Sequence, residues 1–268
     1  MTKPMSKNGW DSRFYKGAEV ASDLEAVLSS LIEHHYDLRS NRFDYETCKT
    51  SGDYNKIQLL ARSLGDFDPG ALTSLAARKA FWLNLYNILI LHVVMSGDQI
   101  QSIMEKQDFF QGFRYQLKPH AFSLDEIEHG ILRANTPSFR KLRKPLRRRH
   151  PAYLHIMNPL DPRVHMAFHC ASLSSAPLRV FNPESIEKEL ESASSDFLSR
   201  HVSLLENQLS LPRCFYWYKK DFGQKFGLLN FIEKHHPDPQ IKQQIGHQGN
   251  RIKIHFTEFD WTLNSMEK

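Results

Sequence analysis

The stretch from Leu72 to Met95 constrains the fold more than any other part of this chain. Drawn as a helix it is apolar on nearly every face, with Thr73 or Ser74 placed as N-cap and Gly97 just past its end. A helix without a polar face has nothing to offer water, so it must run through the interior with other elements packed around it. No segment of the chain, this one included, reaches the ~18 consecutive apolar residues of a membrane span. The opening MTKPMSKNGWDSRFYKG also lacks the apolar run of a secretion signal. No membrane span and a cytoplasmic location are therefore expected.

Other segments supply partners for that helix. Leu24, Val27, Leu28, Leu31 and Ile32 recur at helical spacing between Ser22 and Tyr36, and similar patterns run over Tyr54 to Leu64, Glu184 to His201 and Leu228 to His235. SLDEIEHGILR at 123–133 reads as a short helix, because Ser123 followed by Glu126 is the reciprocal arrangement that satisfies free N-terminal amides. RVHMAFHC at 163–170 reads as a buried strand, Val202 to Leu211 as a hairpin turning at Glu206 and Asn207, and Arg251 to Phe259 as a half-exposed strand. The expected fold is α+β, a single helix-rich domain with a small, mainly antiparallel sheet packed on a buried central helix. Residues 1–17, polar apart from Trp10, Phe14 and Tyr15, read as an N-terminal arm, and 18–268 as one globular domain.

Composition narrows the classes further. With 41% hydrophobic residues, 18 of the 268 residues being Phe, the chain has ample core material and is not a disordered one. Its three cysteines, Cys48, Cys170 and Cys214, are odd in number and far apart, which excludes a disulfide framework or zinc ribbon and fits a reducing compartment. The formal charge of +5 is concentrated in Arg140, Lys141, Arg143, Lys144, Arg147, Arg148 and Arg149. A solvated surface explains this run. A nucleic acid or an anionic surface is the alternative partner, weakened by the lack of interleaved aromatic residues for base stacking.

Polar residues embedded in apolar elements mark the candidate chemistry. Asn84 and Asn87 lie three apart on one face of the buried helix and must find partners, either loop backbone or a ligand. Glu128 and His129 stand between Ile127 and Ile131, so burial would shift their protonation unless they pair. In an extended 163–170, His165 and His169 would lie roughly 13 Å apart at about 3.3 Å per residue, too far to share a zinc ion, and no metal or cofactor is expected there. The same geometry keeps His165 from serving Cys170 directly. Asp260 follows the last strand and is placed either to cap a turn or to orient a histidine.

Five motifs in order, AFWLNLYN at 80–87, SLDEIEHGILR at 123–133, DPRVHMAFHCASLSSAP at 161–177, FYWYKKDFG at 215–223 and FDWTLN at 259–264, make the chain resemble the domain of unknown function 547 family. The resemblance implies no established activity, but it draws Asn84, Asn87, Glu128, His129, His165, Cys170 and Asp260 together as candidates. It also implies a second cysteine five residues after Cys170, where this chain has Ser175. Any paired-cysteine role is thereby lost. A buried helix followed by a His-bearing and an Asp-ended strand is also similar, by analogy alone, to the transglutaminase and cysteine-peptidase plan, although no cysteine opens this helix.

Two functional readings follow. In the first the chain is a thiol-type hydrolase or acyl-transfer enzyme acting on a small-molecule or peptide substrate. Cys170 is the nucleophile, His129 or His165 the base, Asp260 or Glu128 the orienting acid and Asn84 a polar support. In the second the chain is a noncatalytic binding or scaffold domain whose buried polar groups knit the core.

Overall fold

Nine α-helices are found among the described residues of the computed structural model, which are 19–106, 108–139, 141 and 143–266. The expected arm 1–17 and Arg140 lie outside them. The helices are α1 (Val20–His35), α2 (Tyr45–Thr50), α3 (Gly52–Ser63), α4 (Leu75–Met95), α5 (Phe109–Gly112), α6 (Ile186–His201), α7 (Cys214–Trp217), α8 (Gln224–His235) and α9 (Pro239–Gln248). The strands are β1 (Tyr36–Asp37), β2 (Arg42–Phe43), β3 (Arg114–Gln116), β4 (Ala121–Ser123), β5 (Ser203–Leu205), β6 (Gln208–Pro212) and β7 (Lys253–Thr257).

Helix α4 is the axis of the fold. The Ser74 hydroxyl accepts the Ala77 N–H at 3.0 Å and so starts the helix, which then stays buried almost without interruption from Lys79 to Met95. Helices α1, α3 and α6 and a π-helical segment, Glu126–Leu132, pack around it. The three helices each present one apolar stripe, as α1 does with Leu24, Val27, Leu28 and Leu31, whereas the π-helical segment is buried continuously from Ile127 to Leu132. Every large apolar side chain fully buried this way contributes about 1.5–3 kcal/mol, which is why an all-apolar helix is tolerable only at the centre.

Strands are few and short. β1–β2, β3–β4 and β5–β6 are antiparallel hairpins, and β7 joins β6 in parallel, so the pairings form three small sheets. The hairpin β5–β6 turns at Glu206, in the left-handed region at φ 54°, and Asn207, and β7 is half-exposed as its alternating pattern predicts. β6 lies over a second apolar cluster built from α6, β6, α7 and α8, with Phe197, Leu211, Phe215 and Ile232 at its centre. The start of α8 approaches the preceding turn so closely that a Cβ on Gly227 would fall 1.9 Å from the Phe222 carbonyl oxygen. The architecture is a helix-rich α+β single domain. No helix among the described residues is long and apolar enough to cross a membrane.

One element differs from expectation. Residues 163–170 are not a strand. Pro162–Met166 forms a turn of 3₁₀-helix, and the chain then runs irregularly to Cys170. Local polar chemistry overrides the apolar pattern: Asp161 accepts the Arg163 N–H at 3.1 Å and caps the turn, while Pro162 at its first position favours helical φ. Beyond it, the Asn87 side chain accepts the His169 N–H and donates to the Ala167 carbonyl, holding backbone groups that would otherwise pair in a sheet.

Candidate functional site

The π-helical segment positions the first polar residues. Its N-terminus carries the reciprocal cap expected from the sequence, with the Glu126 N–H on Ser123 Oγ at 3.2 Å and the Ser123 N–H on Glu126 Oε2 at 3.1 Å. The backbone then widens, and the Arg133 N–H reaches back five residues to the Glu128 carbonyl at 2.8 Å. Single widened turns of this kind recur at functional sites. Gly130 is required here, because a Cβ would lie 2.8 Å from the Leu146 side chain.

On this scaffold stands a buried charged network. Arg133 donates to Asp221 through Nε and Nη2, each at 2.7 Å, and through Nη1 to His129 Nδ1 at 2.7 Å. Asp221 in turn accepts from His165 Nε2 at 2.8 Å. The side chains of Arg133 and Asp221 are each only 2% exposed, so both are shielded from bulk solvent. Glu128 accepts from the Tyr86 hydroxyl at 2.8 Å and the Tyr218 hydroxyl at 3.1 Å. The Tyr218 ring links the two halves, stacking on His165 at 4.4 Å with the Arg133 guanidinium 4.2 Å from its centroid.

Protonation follows from this geometry. Burial and then the neighbouring Arg133 push His129 down to about 3, so its Nδ1 is an acceptor and the ring is neutral. Burial also lowers His165, against the opposing pull of Asp221. For Asp221, burial alone would raise the carboxyl, but His165 and Arg133 outweigh it and hold it below the usual carboxylate range. His165 is therefore a neutral imidazole whose Nε2–H is pinned by a carboxylate. Its Nδ1 has no hydrogen-bond partner among the described residues.

A cavity of about 140 Å³ opens beside the network and is lined by Glu128, His129, His165, Cys170 and Tyr218 together with apolar side chains. One wall is aromatic: Phe139 stacks on Trp217 at 4.7 Å, Trp217 on Trp261 at 5.5 Å, and Phe259 packs on Trp261 at 4.4 Å. Cys170 is enclosed by protein yet keeps part of its surface toward the cavity. Its thiol bonds Ser172 Oγ at 3.3 Å, and burial, with the Glu128 charge adding to it, pushes it up to about 11. Ser175 also lines the cavity, its hydroxyl 3.1 Å from His169 Nδ1.

The sequence candidates divide accordingly. Glu128, His129, His165 and Cys170 meet at the cavity. Asn84 and Asn87 do not line it: Asn84 clamps Phe181 through its N–H and carbonyl at 2.8 and 2.7 Å, and Asn87 clamps Ala167 and His169, so both position the site-bearing loop through its backbone. Asp260 is exposed, caps its own turn by accepting the Thr262 N–H at 2.9 Å, and orients no histidine. The acid beside His165 is Asp221. Because Pro162–Met166 is a 3₁₀ turn, His165, His169 and Cys170 do not take the spacing of an extended strand. His169 is buried away from the cavity, bonded through Nδ1 to the Ala176 carbonyl at 2.8 Å.

Tyr86, Arg133, Tyr218 and Asp221 were not singled out from the sequence, although each lies inside a quoted motif. Arg133 had a local signal, standing one turn after His129 on the same helix. Asp221 had none, since its partners lie 56 and 88 residues away along the chain.

Residues 71–198, just under half of the chain, match the model of the family described as "Protein of unknown function, DUF547", the family that the motifs resemble. The match takes in α4, the π-helical segment, His165 and Cys170, and ends before Tyr218 and Asp221. No curated protein and no solved structure matches the chain.

Proposed function

We propose that the cavity is the active site of a hydrolase or acyl-transfer enzyme of thiol type, with Cys170 as nucleophile, His165 as general base and Asp221 as the residue that orients it. The observation that carries this reading is the His165–Asp221 pair at 2.8 Å, which leaves the imidazole Nδ1 unengaged on a residue that lines the same cavity as Cys170. A histidine held by a carboxylate on one nitrogen and open on the other is the arrangement that nucleophilic acyl transfer requires.

Cys170 Sγ bonds to the substrate carbonyl carbon as its proton passes to His165 Nδ1. Collapse of the tetrahedral adduct breaks the C–O, C–S or C–N bond and returns the proton to the leaving group. Water or another acceptor takes the acyl group, and its proton regenerates the thiol. A proton gained by His165 finds two carboxylates nearby, Glu128 and Asp221, against one guanidinium, so the buried network compensates the imidazolium. The largely apolar wall with Trp217 and Trp261 suits a substrate with an aromatic or acyl portion, either a small molecule or a peptide.

The second reading, a binding domain without turnover, is favoured by the thiol itself. Raised to about 11 and bonded to Ser172, Cys170 is a neutral thiol at neutral pH. A screen of ester, thioester and amide substrates with wild-type protein and Cys170→Ala distinguishes the two. Turnover abolished in Cys170→Ala supports the enzyme. Saturable binding of the same compounds with no turnover in either protein establishes the binding domain.

A further inference from the structure

We infer that His34, His35 and Asp53 form a site for a divalent transition metal of the zinc type, outside the cavity and holding α1 to α3. The two histidines end α1, and Asp53 lies in the first turn of α3. His34 Nδ1 and His35 Nε2 both point at one carboxylate oxygen, Asp53 Oδ2, at 2.9 and 3.0 Å. Zinc bound tetrahedrally at about 2.0–2.1 Å from nitrogen and oxygen sets neighbouring donor atoms roughly 3.3 Å apart. Each imidazole nitrogen therefore needs to draw back from Oδ2 by only a few tenths of an ångström to admit the ion, and the three donor atoms all lie within 4.8 Å of one another.

Around the triad, the Ser51 hydroxyl also lies 3.4 Å from His35 Nε2, and His35 Nδ1 is buried with no hydrogen-bond partner among the described residues. The other carboxylate oxygen, Oδ1, is engaged by Ser30 Oγ at 2.8 Å and Lys56 Nζ at 2.6 Å, which orients the carboxylate and leaves Oδ2 to the histidines. The C-terminal end of α1 carries partial negative charge from its free carbonyls, which favours a cation beside its last turn. His34 is half-exposed while His35 and Asp53 are buried, so the site is reached from solvent on the His34 side. Two imidazoles and one carboxylate with an open position form a donor set suited to Zn²⁺.

A second triad, His120, Glu126 and His150, also brings its ligand atoms together. It fails on its hydrogen bonds. Arg114 Nη2 sits 3.2 Å from His120 Nε2 and 2.7 Å from Glu126 Oε2, so a guanidinium already fills the cation position. The Ala152 N–H donates to His150 Nδ1 at 3.2 Å, which puts the proton on Nε2, the nitrogen a metal would need. The two clusters thus predict opposite behaviour, and each serves as control for the other.

Chelator-treated full-length protein titrated with ZnCl₂ by calorimetry, and with Co²⁺ by visible absorption, tests the assignment. One equivalent should bind, raise the Tm, and with Co²⁺ give the intense d–d bands of a tetrahedral site. His34→Ala removes an exposed ligand without opening the core, and should weaken binding by more than the roughly 10–100-fold that loss of an outer partner costs. His150→Ala should bind as wild type does. No stoichiometric binding by the wild type, undiminished binding by His34→Ala, or binding lost instead in His150→Ala would each overturn the site.

Discussion

Asp221 accepts from His165 Nε2 at 2.8 Å and from Arg133 on the same oxygen at 2.7 Å, so one buried carboxylate fixes an imidazole and neutralises a guanidinium together. With Arg133 and Asp221 both sealed from water, removing either leaves the other as an unpaired internal charge. The stabilising worth of such a pair is small, but breaking it is costly.

Arg133→Leu is accordingly expected to destabilise the protein by about 3–5 kcal/mol in urea unfolding, and Arg133→Leu with Asp221→Leu together by much less than the sum of the single changes. Additive losses in that cycle would show that the two residues act independently. Asp221→Asn should also change the ¹⁵N shifts of the His165 ring, because the pinned tautomer loses its acceptor.

The three thiols are all pushed up by burial, Cys170 to about 11 and Cys48 and Cys214 to about 12. Iodoacetamide at neutral pH should therefore label none of them quickly. Cys170 and Cys214 both line the cavity, and Cys170 should lead because burial raises its thiol less, its rate climbing through the alkaline range. Labelling of Cys170 at the rate of a free thiol at pH 7, followed by peptide mass spectrometry, would mean that a nearby group stabilises its thiolate in the resting protein.

Buried histidines make the fold acid-sensitive. Burial lowers His129 to about 3, with Arg133 adding to it, and lowers His169 to about 4 against its bond to the Ala176 carbonyl. In the unfolded chain both titrate near the ordinary ~6.5. Between those values the unfolded chain holds more protons, so this contribution to stability is complete above pH about 6.5 and declines as the pH falls toward 4 and then 3. Urea midpoints measured stepwise from neutral to about pH 4 should fall. His129→Gln, which keeps an acceptor for Arg133, should flatten the slope, and an unchanged slope would remove His129 from the account.

The basic stretch should be separable from the core. Arg147, Arg148 and Arg149 are exposed, as are Arg143 and Lys144. Neutralising Arg147, Arg148 and Arg149 to Gln is expected to leave the thermal midpoint nearly unchanged, since exposed charges contribute roughly 0–1 kcal/mol. A large fall in Tm would assign them a structural role. Salt-sensitive binding of a polyanion by the wild type, lost in the triple variant, would instead support the anionic-surface alternative.

Much of the fold was legible in the sequence because it depends on short-range information. The all-apolar run of α4, the Ser74 cap, the Ser123–Glu126 exchange and the turn at Glu206 and Asn207 are each written within a few residues and were formed as read. The sequence also brought Glu128, His129, His165 and Cys170 forward, since polar groups set among apolar neighbours must be buried and paired. What it could not determine was which partner each group finds. The apolar run at 163–170 promised a buried strand, but the cap from Asp161 and the clamp from Asn87, one of them on a distant helix, decided otherwise. Asp260 and Asp221 are equally acidic and both neighbour aromatic residues in the sequence. Only packing buries Asp221 between Arg133 and His165 and leaves Asp260 in water, because the choice rests on contacts 56 and 88 residues apart that no local pattern encodes.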